Sequence, residues 1–216
     1  CGDADYLRGR VVAPGDPARA AEFEALRARG EAIEAEIALQ RWPAVKRDVP
    51  GFRADADRLA HPRTTAMALG FEATLARKRA DWPAAVAATK QEYLISRRNR
   101  DVEGAAGAAA SMVWLYGYFM GQFEAGEDWA ALALVEIDSI ATSHTAMNVH
   151  KAIGILAEHR GQGARAIEHQ RRALELARRH YDPGHWMIAR ASQDLAGALF
   201  EAGQPAESAA LYRDAA

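Results

Sequence analysis

The last third of the chain carries one pattern twice. Ile153-Gly154, Gly161, Ala166 and Ala173 return as Leu195-Ala196, Gly203, Ser208 and Ala215, each 42 residues further on, as 153 is from 195. A fixed period of roughly 20–50 residues, with small and apolar residues at set places, belongs to stacked supersecondary units that cannot bury their apolar faces alone. The fold is thereby restricted to an array in which each unit packs mainly on its neighbours. Small residues at Gly154, Ala166, Ala173, Ala196 and Ala215 suit close crossings of paired helices. Leu195, Leu199, Leu211 and Tyr212 have the spacing to fill the space between helices, and Gly161 and Gly203 the place of helix C-caps.

Helical periodicity and its punctuation extend the array to about ten helices in five antiparallel pairs, over residues 17–216, after a lead-in at 1–16. Asp16 is placed to cap a helix that starts at Pro17. Trp42-Pro43-Ala44, Trp82-Pro83-Ala84 and Gln204-Pro205-Ala206 place proline where a new helix begins and its missing N–H costs nothing. Ala60-His61-Pro62, Arg98–Asp101, Thr142-Ser143-His144 and Tyr181–Gly184 read as breaks between pairs. Pro50 falls inside a helix and is expected to kink it. The clearest repeats are 147–188 and 189–216.

Charge and cysteine content exclude several classes of function. With 27 basic and 29 acidic residues the net charge is -2, so no long-range field favours nucleic acid or an anionic membrane. A lone cysteine rules out an internal disulfide framework and a thiolate zinc site. The apolar run around Met112–Met120 is too short to span a bilayer. Cys1-Gly2-Asp3 is compatible with the acylated start of a bacterial lipoprotein, but a fragment boundary is the preferred reading.

The run Leu-Ala-x-x-Leu-x-x-x-Gly, a small residue, then Tyr-x-x-Ala over Leu195–Ala215 resembles the tetratricopeptide repeat. The 42-residue spacing and His185-Trp186-Met187-Ile188-Ala189 before Gln193-Asp194-Leu195-Ala196 are similar to the longer variant of kinesin light chain and many bacterial regulators; Trp186 and Asp194 depart from its usual Pro and Asn. Over Tyr6-Leu7-Arg8, Asp16-Pro17, Ala25-Leu26-Arg27 and Trp42-Pro43-Ala44 the chain is similar to the C-terminal repeat region of bacterial, myxobacterial-type serine/threonine protein kinases. The resemblance implies an all-α, right-handed α-solenoid of about five antiparallel helical hairpins. It further implies a docking or sensing module for a protein or peptide segment, on either side of a membrane crossed by such a kinase. No kinase motif lies in the chain itself.

No residue pattern supports catalysis. His144, His150, His159, His169, His180 and His185 include no i,i+4 pair, so neither a metal site nor a cofactor is expected. His185 is expected to cap or pack at a turn between repeats. Glu31, Glu34 and Glu36 lie among arginines on a solvated helix face, and Arg77–Arg79 lacks the aromatic readers of a nucleic-acid surface. The resemblance implies that the first helix of each pair lines a groove, formed here by Asn148, Lys151, Ile155, Glu158 and His159, then Arg190, Gln193, Gly197, Phe200 and Glu201. Asn148 and Gln193 could hydrogen-bond a bound backbone. Of Tyr116, Tyr118, Phe119 and Phe123, most are expected in the core and one or two in the groove wall. A second expectation is self-association through the C-terminal repeat, because Asp214-Ala215-Ala216 adds no capping helix.

Overall fold

The structure, a computed structural model, describes residues 14–140 and 144–214. Among these residues ten α-helices succeed one another without a strand: α1 (Pro17–Ala38), α2 (Trp42–Leu59), α3 (Pro62–Lys78), α4 (Trp82–Arg98), α5 (Val102–Val113), α6 (Phe123–Ile137), α7 (His144–His159), α8 (Gly163–His180), α9 (Trp186–Glu201) and α10 (Pro205–Asp214). A π-helical segment, Trp114–Phe119, continues α5. The expected features at Cys1, Tyr6–Arg8, Thr142-Ser143 and Ala215 lie outside the described residues.

The helix starts follow from local chemistry. Asp16 accepts a hydrogen bond from Arg19 N at 2.9 Å, with Pro17 in the first turn. Asp81 Oδ1 accepts from Ala84 N at 3.2 Å. His61 and His185 use Nδ1 in the same way, accepting from Arg63 N and Met187 N at 3.2 Å each. His185 is therefore a cap at an inter-repeat turn, as the sequence predicts. Pro50 lies inside α2, which runs from Trp42 to Leu59, with its side chain exposed.

The hairpin turns repeat one another more faithfully than the sequence does. Gln40, Ala80, Gly121, Gly161 and Gly203 all sit in the left-handed region, at φ of 55°, 56°, 65°, 68° and 76°. Arg41 N to Glu36 O, Asp81 N to Ala76 O, Gln162 N to Ala157 O and Gln204 N to Leu199 O then close the same six-to-one ring, which satisfies carbonyls at each helix end. The first two turns pay steric strain for this geometry because they have a side chain where the last three have glycine.

Packing divides the chain into two compact units, residues 1–108 and 109–216. In the first, Phe23, Leu26, Ile33, Val45, Val49, Phe52, Leu59 and Phe71 form the core, with Phe52 edge-on to Phe71 at 5.1 Å. Asp101, 5% exposed, accepts from Gly104 N at the start of α5 and from Arg63 on α3. In the second, Met147, Ile153, Leu156, Leu176 and Leu199 are buried among the small residues Ala166, Ala173 and Ala196, so these crossings form as the period predicts. Leu195 is buried and Leu211 half-buried, but Tyr212 is 49% exposed. Leu211 and Leu195 line the same cleft. Tyr116, Phe119 and Phe123 are half-buried and Tyr118 exposed, so none of these aromatics is core; Met112, Val113 and Leu115 fill that position.

Candidate peptide-binding face

α7 and α9 are the first helices of the last two hairpins, and α7 also packs on the π segment. One salt-bridge group ties α7 to α9. Lys151 Nζ lies 3.0 Å from Asp194 Oδ2, and Arg190 Nε lies 3.1 Å from Asp194 Oδ1. The Lys151 contact is an ion pair without hydrogen-bond alignment. Lys151 and Asp194 are 20% and 11% exposed, so their attraction is less screened than that of a surface pair. Lys151 is consequently held within the face, while Arg190, 54% exposed, reaches the same carboxylate from the surface. Asp194, a departure from the repeat pattern in sequence, is the residue that holds them.

A second polar contact lies about two turns along α7, at Glu158. Fully buried Gln170 on α8 donates from Nε2 to Glu158 Oε1 at 3.2 Å. Gly154 makes room for it, since a Cβ there would stand 2.8 Å from Gln170 Cδ. Burial, followed by repulsion from Glu201 and Asp194, outweighs the Gln170 hydrogen bond and pushes the Glu158 carboxyl up to about 7. Glu158 thus carries a proton for much of the time near neutral pH. Its neighbours on the protein supply no cation within ion-pairing distance among the described residues.

Aromatic groups stand at both ends of the face. His159, exposed, meets Tyr118 edge-on at 5.2 Å, and Tyr118 in turn contacts Trp114 and Phe119 at 5.5 and 4.9 Å. On α9, Phe200 is 66% exposed. At the opposite end Asn148 Nδ2 lies 3.1 Å from His144 Nε2, and Tyr181 Oη lies 2.6 Å from His144 Nδ1. A neutral His144 protonated on Nδ1 satisfies both contacts, accepting from Asn148 and donating to Tyr181. Tyr181 stacks on His185 at 4.2 Å, and His185 on the exposed Trp186 at 6.0 Å.

The expected groove residues therefore divide by engagement. Asn148, Lys151, Arg190, Glu158 and His159 already have partners within the fold. Gln193 is exposed and hydrogen-bonds to none of the described residues; Ile155 is half-buried between the polar contacts. A Cβ on Gly197 would meet nothing within 4 Å. Gln193, Gly197 and Phe200 thus leave a stretch of α9 with a free amide, an open floor and an apolar anchor. Gln170 escaped the sequence reading because its contact joins different helices, whereas the Tyr181–His185–Trp186 stack forms within the turn between α8 and α9.

The tetratricopeptide repeat family model matches residues 144–216, which hold α7 to α10. No curated protein matches the chain. The structure is similar to the crystal structure of BtubC (BKLC) from P. vanneervenii, with 17% identity and a TM-score of 0.66 over 92% of this chain and 87% of that one. It is also similar to the nearly identical TPR-like repeats of a Podosopora anserina protein described as a kinesin light chain, at 15% identity and a TM-score of 0.61, over 88% of this chain and 93% of that one. The fold class is accordingly the all-α tetratricopeptide-type solenoid. Repeats of this kind generally mediate protein–protein interaction and are non-catalytic.

Proposed function

We propose that the chain binds a protein or peptide segment along α7 and α9, without catalysing a reaction. The observation that carries this reading is Phe200, a large apolar side chain 66% exposed beside the unengaged Gln193 and the open Gly197. An apolar anchor next to a free amide suits a segment that inserts one side chain and offers its backbone for hydrogen bonding. The Lys151–Asp194–Arg190 group stiffens the wall between the two helices, which lowers the ordering cost of binding.

Peptides selected from a displayed random library by the full chain test the surface. A folded Gln193→Ala, Phe200→Ala double variant should lose at least tenfold in affinity for them. Equal affinity in that variant would remove this face from consideration. The assignment to a docking or sensing region of a bacterial serine/threonine kinase-type regulator is supported by the sequence resemblance. A reading frame continuous with this one and carrying the kinase motifs is its test.

A second reading, self-association through the last hairpin, is supported by the exposed Tyr212 and by a cleft of about 470 Å³ that Leu174, Leu195 and Leu211 line. Light scattering over a dilution series separates the two, because a strict monomer excludes it.

A further inference from the structure

Two histidines of the fourth hairpin meet on another face of α7. His150 on α7 and His169 on α8 bring their Nδ1 atoms to 2.9 Å, with ring centroids 5.2 Å apart and the planes tilted by 35°. Both side chains are half-buried, and both line a cavity of about 550 Å³ that opens to solvent. The residues are 19 apart in sequence, so a search for ligand pairs along single helices does not find them.

The chemistry of the pair suits a metal ion. Two imidazoles at this distance share a proton: one Nδ1–H donates to the lone pair of the other Nδ1. The neutral imidazole of such a hydrogen-bonded pair is the form that ligates metals. Metal–nitrogen bonds of about 2.0–2.1 Å drawn to two nitrogens 2.9 Å apart enclose an angle of about 90°. Metal binding replaces that hydrogen bond, and a right angle between two imidazole nitrogens is the cis angle of a tetragonal ion.

We propose that His150 and His169 form a two-nitrogen site for a divalent transition metal of tetragonal preference, Cu²⁺ or Ni²⁺, with water in the cavity completing the coordination. The ring whose Nδ1 carries the shared proton moves it to Nε2, so binding to the neutral pair releases no net proton. The surrounding charge permits a cation. Glu168 on the cavity wall has no ion-pair partner among the described residues, while Arg172 is paired with Glu175 at 2.6 Å and Arg171 with Glu207 at 2.8 Å. No third protein ligand joins the pair among the described residues, which makes the site open rather than a closed structural one.

The test titrates CuCl₂ and NiCl₂ into the full chain and reads isothermal heats and electron paramagnetic resonance of bound Cu²⁺. One equivalent of Cu²⁺ should bind with an axial, two-nitrogen spectrum; His150→Ala and His169→Gln should each weaken it at least tenfold, and His180→Ala should not. Should either site variant unfold, nitrogen-15 resonances of the wild-type imidazoles decide the matter. Substoichiometric Cu²⁺ must broaden the His150 and His169 Nδ1 signals before those of other histidines. Equal Cu²⁺ binding in wild type and the His150→Ala, His169→Gln pair, or first broadening at other histidines, would overturn the proposal.

Discussion

Lys151 and Asp194 join two successive repeats through one ion pair, Nζ to Oδ2 at 3.0 Å, and Arg190 shares the same carboxylate. Replacing Asp194 with Ala leaves the less exposed ammonium of Lys151 without its counter-charge. Asp194→Ala should cost about 1–3 kcal/mol in urea denaturation, and Asp194→Asn less, because the amide oxygen still accepts from Arg190.

Glu158 makes stability depend on pH. Its carboxyl titrates near 7 in the fold against an ordinary value of 4.5, so its contribution is fully present below about 4.5 and is lost as pH rises through 7. Glu158→Gln keeps an acceptor for Gln170 and removes that titration. The variant should match the parent at pH 4 and exceed it on the order of 1 kcal/mol at pH 8, measured as denaturation midpoints across that range.

Ala80 carries a side chain at φ 56°, where the equivalent Gly161 has none. Ala80→Gly should raise stability by about 0.5–1 kcal/mol, the relief of left-handed strain less the added freedom of the unfolded chain. Gly161→Ala should lower it by a similar amount, and thermal melting of both variants checks the pair.

Gly126 on α6 brings its backbone against the π segment: a Cβ there would stand 3.3 Å from Gly117 Cα and 3.2 Å from Leu156 Cδ1. Backbone cannot swing aside as the end of a long side chain can. Gly126→Val should therefore cost about 1–3 kcal/mol, detected as a lower midpoint in chemical denaturation.

The parts of the fold legible in sequence are those specified within one turn. Proline beside a new helix, Asp16 before Pro17 and glycine at 161 and 203 are local choices with few conformational alternatives, and the structure contains each. Trp42-Pro43 and Trp82-Pro83 mark the first two turns as well, but not that Gln40 and Ala80 are left-handed there, because neither residue type favours that conformation. Tyr212 missed its expected place because helical spacing gives the angle between side chains but not the rotation of the helix about its axis. In the candidate face, the repeat names positions but not their engagement within the fold. Asp194 and Gln170 act across helices separated by many residues, so the pairing of Lys151 and the room left by Gly154 become visible only when the hairpins are assembled.

The π segment holds one residue more than the matching helix ends of the other hairpins. Left-handed turn residues stand 40 apart from Gln40 to Ala80 and from Gly121 to Gly161, 41 apart from Ala80 to Gly121, and 42 apart from Gly161 to Gly203, where Tyr181 to His185 form the link between hairpins. The ring that closes over five residues at Arg41, Asp81, Gln162 and Gln204 closes over six in the third hairpin, from Gln122 N to Tyr116 O. One surplus residue is thus stored as a widened coil between Trp114 and Phe119 instead of as a shift in register. The array tolerates a change of length inside a helix, where length is normally fixed, and deleting a single residue there would return the hairpin to the gauge of its neighbours.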